Sequence, residues 1–170
     1  MELWLRQENL RSNTCQVSLE RAKKLSGYVQ FYAFCTVWLE QDGSFEAHYA
    51  AALEHFNRQL DENKAQIVRC KNEADARAAI GSGKCGAFLS IEGAEAISCD
   101  PGKLELACAQ GVRMIAPAWN AQNALTGSCM TGGGLTAQGK EFVRRAQKLG
   151  MILDVSHISE KAFWDLCAII

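Results

Sequence analysis

The sequence predicts an α/β fold built on parallel strands, either a small open sheet or about half of an eight-stranded (β/α)8 barrel of the TIM type. Three observations carry this expectation. Strand-like and helix-like stretches alternate along the chain. The strand-like ones, such as "GYVQFYAFCTVW" and "CGAFLSIEG", are apolar on both faces, as in a sheet covered on both sides. Glycine or short polar runs close nearly every stretch. With 170 residues, 48% of them apolar and 22% charged, length and composition fit one domain spanning residues 1–170.

The opening "MELWLRQENL" is amphipathic and quickly polar. Residues 27–38 form the first expected strand, closed by "QDGS". Ser44 then suits the N-cap of a helix from about Phe45 to Leu60, with Phe45, Tyr49, Ala52 and Phe56 on one face at 3.6-residue spacing. A short strand at Ile67–Cys70 follows, then a helix over 73–82 that breaks at Gly81 and Gly83. Residues 85–93 read as a short buried strand ending in a carboxylate and a glycine. Pro101 starts a helix that Gly111 stops, and 112–119 is the next strand. The run "NAQNALTGSCMTGGG" is too rich in glycine and polar residues for regular structure. Thr136 caps a helix whose apolar stripe is Phe142, Val143, Ala146 and Leu149, and Gly150 ends it. "MILDV" is the last strand, and Ser159 with Glu160 opens the final helix.

The balance of 18 basic and 19 acidic residues, with no block of like charge, leaves no electrostatic footprint for nucleic acid or an anionic membrane surface. No stretch reaches the ~18–20 continuous apolar residues of a membrane span. The start lacks the pattern of a secretory signal. Eight cysteines without a C-x-x-C pair, most of them in apolar runs, read as small buried hydrophobes in a reducing compartment, so the expected location is cytoplasmic.

In parallel α/β folds the carboxyl ends of the strands converge on one crevice or barrel mouth, and this rule selects Glu92, Trp119, Asn120 and His157. A carboxylate such as Glu92 binds or bridges divalent metals, and the neutral ring nitrogen of His157 suits zinc. The bland alternatives are a loop-edge glutamate and a hydrogen-bonded structural histidine. Asp154 inside the last strand fits a buried hydrogen bond or the orientation of a metal ligand. Glu95 reads as a solvated loop charge, and His48 and His55, seven residues apart on a helix, read as surface residues. No G-x-S-x-G elbow, dinucleotide fingerprint or P-loop is present.

The ordered set "GKCGAFLSIEGAEAI", "GVRMIAPAWNAQN" and "GGGLTAQGKEFVRRAQKLGMILDVSHIS" resembles the membrane dipeptidase (renal dipeptidase) family of zinc peptidases, in its bacterial form. Upstream, "GYVQFYAFCTVW" looks like that family's second barrel strand. The likeness covers nearly the whole chain. It implies a (β/α)8 barrel, a dipeptide substrate and two zinc ions in the complete enzyme. It further implies that Glu92 bridges both metals, and so is no general base, and that His157 ligates one of them. Trp119 and Asn120 stand where some members carry a histidine near the substrate, which makes them candidate substrate-binding residues.

The family's His-x-Asp strand would precede Met1, and a further metal histidine, a substrate-binding arginine and a proton-transfer acid would follow Ile170. The resemblance therefore implies a chain shortened at both ends that does not hold both zinc ions alone, has no dipeptidase activity by itself, and is poorly stable or self-associates through exposed barrel edges. Two other readings stand beside it: a non-catalytic interaction module, and an unrelated α/β domain with coincidental motifs. The distance between Glu92 and His157 bears on the last.

Overall fold

A computed structural model describes residues 2–35 and 45–170. In chain order its elements are α1 (Glu2–Leu5), α2 (Leu19–Ala22), β1 (Val29–Phe34), α3 (Phe45–Glu62), β2 (Ile67–Arg69), α4 (Glu73–Gly81), β3 (Cys85–Glu92), 3-10 turns at Ala94–Ile97 and Pro101–Lys103, α5 (Leu104–Ala109), β4 (Val112–Ala116), α6 (Ala137–Lys148), β5 (Ile152–Leu153) and α7 (Glu160–Cys167). The alternation expected from sequence is therefore present. The far end of the first expected strand, the "QDGS" closure and the Ser44 cap lie outside the described residues.

All pairings in the sheet are parallel, in the order β1-β3-β4-β5, with β2 paired to β3. β1 runs along one edge of β3 from Val29↔Gly86 to Phe34↔Ile91. The opposite edge of β3 is shared, with β2 alongside Cys85–Ala87 and β4 alongside Leu89–Glu92. A register shift between Leu89 and Ser90 marks the junction. Arg113 bridges it, its Nε donating to the Lys71 carbonyl at 2.9 Å and its Nη1 to that of Cys108 at 2.8 Å. Four strands thus neighbour one another in chain order, as in a (β/α)8 barrel, and β2 is a peripheral addition.

One face of the sheet builds the core. Ala87, Leu89 and Ile91 of β3 and Val112 and Ile115 of β4 are buried against the helices, together with Leu53, Phe56, Leu104 and Phe142. The aromatic stripe of α3 works as its spacing predicts, with the Phe34 ring edge-on to Tyr49 and Phe56. Tyr49 Oη donates to Gln110 Oε1 at 2.8 Å, and burial raises its phenol to about 12. A smaller cluster of Leu135, Val143, Ile158, Ala162 and Leu166 seats α7 on α6.

Local signals set the helix ends. Thr136 and Ser159 accept from the amides of Gly139 and Ala162 at 3.0 Å each, as N-caps should. Asn72 does the same for α4. The α4 helix runs through Gly81 and ends at Gly83, whose φ of 70° is the left-handed turn that glycine adopts without strain. Pro101 starts only a 3-10 turn, capped by Asp100, before α5. The last strand is two residues long, and the Asp154 amide just beyond it makes a final bond to the Ile115 carbonyl at 3.0 Å.

Two expectations fail on burial. His55 is buried at 7% exposure and His48 is half-buried, because the N-terminal segment folds over α3; the amide of Leu10 donates to Gln59 Oε1 at 2.7 Å, and the Trp4 ring packs on His48. Of the cysteines, Cys35, Cys70, Cys85 and Cys99 are buried as expected, but Cys15, Cys108 and Cys167 are half-buried and Cys129 is exposed on the long loop.

Candidate metal and substrate site

Side chains in paired parallel strands alternate faces together. Val29 and Phe31 pair with Gly86 and Phe88, Met114 with Ser90, and Ile152 with Met114, so all of them share the face on which Glu92, at the end of β3, also lies. The face opposite the helices therefore carries a carboxylate at its carboxyl edge. Gly93, at φ 96°, turns the chain abruptly after Glu92 into the 3-10 turn, a conformation that a Cβ would strain.

His157 comes to the same edge from the other end of the sheet. Its Nε2 lies 2.9 Å from Glu92 Oε1, across 65 residues of sequence, and the two side chains are 24% and 31% exposed. An ionised carboxylate only accepts, so Nε2 carries the proton in this pair. The ring nitrogen and the carboxylate oxygen Oε1 thus meet at one spot. This donor set, one imidazole and one carboxylate on rigid strand ends, fits a divalent metal such as zinc. Among the described residues no group of three or more His, Cys, Asp or Glu gathers in this way.

The backbone of His157 is held by the loop that sequence alone reads as irregular. The Cys129 amide donates to the His157 carbonyl at 2.8 Å, Ser128 bridges to Ile158, and the Ser159 amide donates to the Gly127 carbonyl at 3.2 Å. Gly127 is there for space: a Cβ would fall 1.5 Å from the Gly132 carbonyl oxygen. Asn123 organises the near side of the same loop. Its amide nitrogen donates to the Pro117 carbonyl at 2.8 Å and to Glu95 Oε1 at 2.9 Å, while its oxygen accepts from the Leu125 amide at 2.8 Å. Glu95 is thus half-buried and hydrogen-bonded, with its Oε2 shielded from water, and is not the solvated loop charge expected. Neither Gly127 nor Asn123 carries a sequence signal beyond lying in a glycine-rich loop.

Trp119 stands beside the pair, its ring centroid 6.1 Å from that of His157 with the planes at 48°. Asn120 is exposed, and its carbonyl accepts from Ser128 Oγ at 2.5 Å. Asp154 Oδ1 accepts from the amide and hydroxyl of Ser156 at 2.9 and 2.5 Å, bending the chain between β5 and His157. The structure therefore unites Glu92, His157 and Trp119, leaves Asn120 exposed with its carbonyl bonded to Ser128, and gives Asp154 the turn just before the histidine.

Known proteins share this fold. The solved structure of "dipeptidase AC", a metallopeptidase, superposes with a TM-score of 0.83 over 99% of this chain and 56% of its own length, at 24% identity. A metallopeptidase from Rhodobacter sphaeroides, solved with a phosphinate mimic of the dipeptide L-Ala-D-Ala, gives 0.76 over 93% of this chain and 54% of its own, again at 24% identity. An uncharacterised protein from the PQQ-III 3' region of Acinetobacter calcoaceticus is 35% identical over 115 residues, 63% of this chain and 36% of the relative. The chain spans about half the length of those two solved structures, so its sheet corresponds to part of a barrel. The family description that matches residues 1–169 is "Membrane dipeptidase (Peptidase family M19)". A match of that extent, over a fold shared with metallopeptidases, places this chain in the membrane dipeptidase family.

Proposed function

We propose that this chain is the part of a zinc-dependent dipeptidase barrel that supplies the metal-bridging carboxylate, Glu92, and one metal imidazole, His157. The observation that carries the reading is their 2.9 Å approach at the carboxyl ends of two different strands. That approach also weighs against coincidental motifs in an unrelated domain. A complete site holding zinc would supply an acidified water and polarisation of the scissile carbonyl. The chain's own residues bind and orient. Glu92 would hold metal through its carboxylate and His157 through Nε2, and Trp119 with Asn120 would wall the space where a dipeptide lies. The lineage supports a dipeptide as substrate, as does the neighbouring structure that binds a phosphinate mimic.

Taken alone, residues 1–170 are expected to hydrolyse no dipeptide, since two donors leave a zinc ion short of its usual four ligands. The eight thiols, none in a disulfide, support a reducing, cytoplasmic setting. A second reading, a non-catalytic module that works by association, is favoured by the apolar face around Val29 and Ile152, which are 37% and 52% exposed.

The test of the metal reading is a titration with cobalt(II) as a visible probe and zinc as competitor. Binding should be lost in Glu92→Ala and in His157→Ala, each by at least about tenfold in affinity. Metal binding that survives both substitutions would sink the assignment.

A further inference from the structure

We propose that the chain carries a second ligand site at the opposite end of its sheet, a cavity that takes a small apolar carboxylate. The inference does not depend on the reading of Glu92 and His157.

The cavity measures about 370 Å³ and lies where β1, β2 and β3 begin, between the turn after α2 and the end of α4. Small-molecule sites range over about 300–1,000 Å³, so it is large enough for a compact ligand. β3 runs from the cavity, at Cys85, to Glu92. At about 3.3 Å per residue the two sites stand on the order of 20 Å apart. The cavity also accounts for two large apolar side chains left in water. Leu25 is 56% exposed and Ile80 44%, and both line it, together with the buried Leu19 and Ala22. Gly27 sits against Ile80 so closely that an added Cβ would come 3.1 Å from Cγ2, so backbone forms part of the wall. A hydrocarbon body seated there would remove this apolar surface from water.

The charged groups of the lining are all of one sign. Lys23 and Lys84 line the cavity, and among the described residues no aspartate or glutamate does. Lys84 Nζ donates to the Lys64 carbonyl at 2.9 Å, which tethers that ammonium group and leaves it further N–H donors. Tyr28 and Cys85 stay neutral, since burial raises both the phenol and the thiol above their ordinary values. Gln66 lines the cavity as well, but its Oε1 is shielded from water and offers a ligand no acceptor. Apolar walls with two ammonium groups and no carboxylate match a ligand that has a hydrocarbon body and one negative end. A small apolar carboxylate has two sources, a simple carboxylic acid and an amino acid released from a peptide. The lining holds no counter-charge for an ammonium group, which selects the simple acid.

The experiment is titration calorimetry of the purified full chain with isocaproate, free leucine and isohexanol. Leucine adds an ammonium group to the isocaproate skeleton, and isohexanol replaces its carboxylate with a neutral alcohol. Isocaproate should bind with an affinity on the order of 1 mM or tighter. Leucine should bind at least about fivefold more weakly, and isohexanol at least about tenfold. Combining Lys23→Gln with Lys84→Gln should lower the isocaproate affinity at least about tenfold. Lys23→Gln alone should lower it part of the way, and serves if loss of the Lys84 bond to Lys64 unfolds the double variant. Lys24→Gln, exposed and outside the lining, should leave it unchanged. In amide NMR spectra isocaproate should move the signals of Gly27, Gly83 and Cys85 and leave those of Gly93 and His157 in place. No binding at about 10 mM overturns the proposal. So does binding indifferent to the lysines, or equal affinity for isohexanol, since either removes recognition of the negative end. Tighter binding of leucine overturns the choice of ligand, and signals moving at Gly93 and His157 in place of the cavity overturn its location.

Discussion

A single buried ring sets how this chain responds to acid. The guanidinium of Arg58 donates to His55 Nδ1 at 2.9 Å, which requires that nitrogen to be unprotonated. Burial, with the positive charge of Arg58 beside it, holds His55 below its ordinary value of 6.5, against a weaker pull from Glu62. The unfolded chain therefore takes up this proton first as pH falls. The stability that depends on a neutral His55 is full above 6.5 and is lost on acidification toward the depressed folded value. Thermal melts between pH 7.5 and about 5 should show a falling midpoint, with a shallower fall in His55→Gln; equal slopes would exclude His55 as the source. This burial was not legible in the sequence, since the cover over His55 comes from residues near Leu10, far away in the chain. Glu92 and His157 were legible for the opposite reason. A strand followed by one polar residue is a local pattern, and the position of strand ends in α/β folds follows from topology.

At the scale of elements, the loop over residues 120–135 is a clamp. Its hydrogen bonds to residues 157–159 fix the backbone of His157, and Gly127 permits the close approach to Gly132 on which the clamp depends. Gly127→Ala should cost about 1–3 kcal/mol of folding stability in a urea melt, because the backbone at Gly132 must move. The same substitution should weaken cobalt binding, whereas Met130→Ala, at an exposed position of the loop, should alter neither. Helix limits were well read where a capping side chain or a left-handed glycine defines them, as at Thr136, Ser159 and Gly150. The loop was not, because glycine-rich sequence states that the chain can turn and says nothing of what it will pair with. The two-residue length of β5 was equally hidden, since the Asp154 amide still donates to the Ile115 carbonyl of β4 while its side chain turns the chain at Ser156.

The whole molecule is a stack of strand–helix units with one protected strand at its centre. β3 is paired along both edges and flanked by helices, whereas β1 and β5 each pair on one side among the described residues. Amide hydrogen exchange should be slowest in β3 and faster in β1 and β5, whose outer edges pair with no strand among the described residues. Equal protection across the sheet would show that those edges are covered. The parallel α/β class was readable from alternation alone; the barrel required the family resemblance, because an open sheet and half a barrel share the same local pattern. The chain-order adjacency of the strands also has a consequence for synthesis. From β3 onward each new strand meets a partner that is already made, but Glu92 leaves the ribosome 65 residues ahead of His157. At ~5–20 residues per second that is a delay on the order of seconds, during which the carboxylate is made and placed without its imidazole. The Glu92–His157 pair is therefore assembled only after the last strand is made, and a nascent chain arrested before His157 should carry a formed β3 whose carboxylate still waits for its partner.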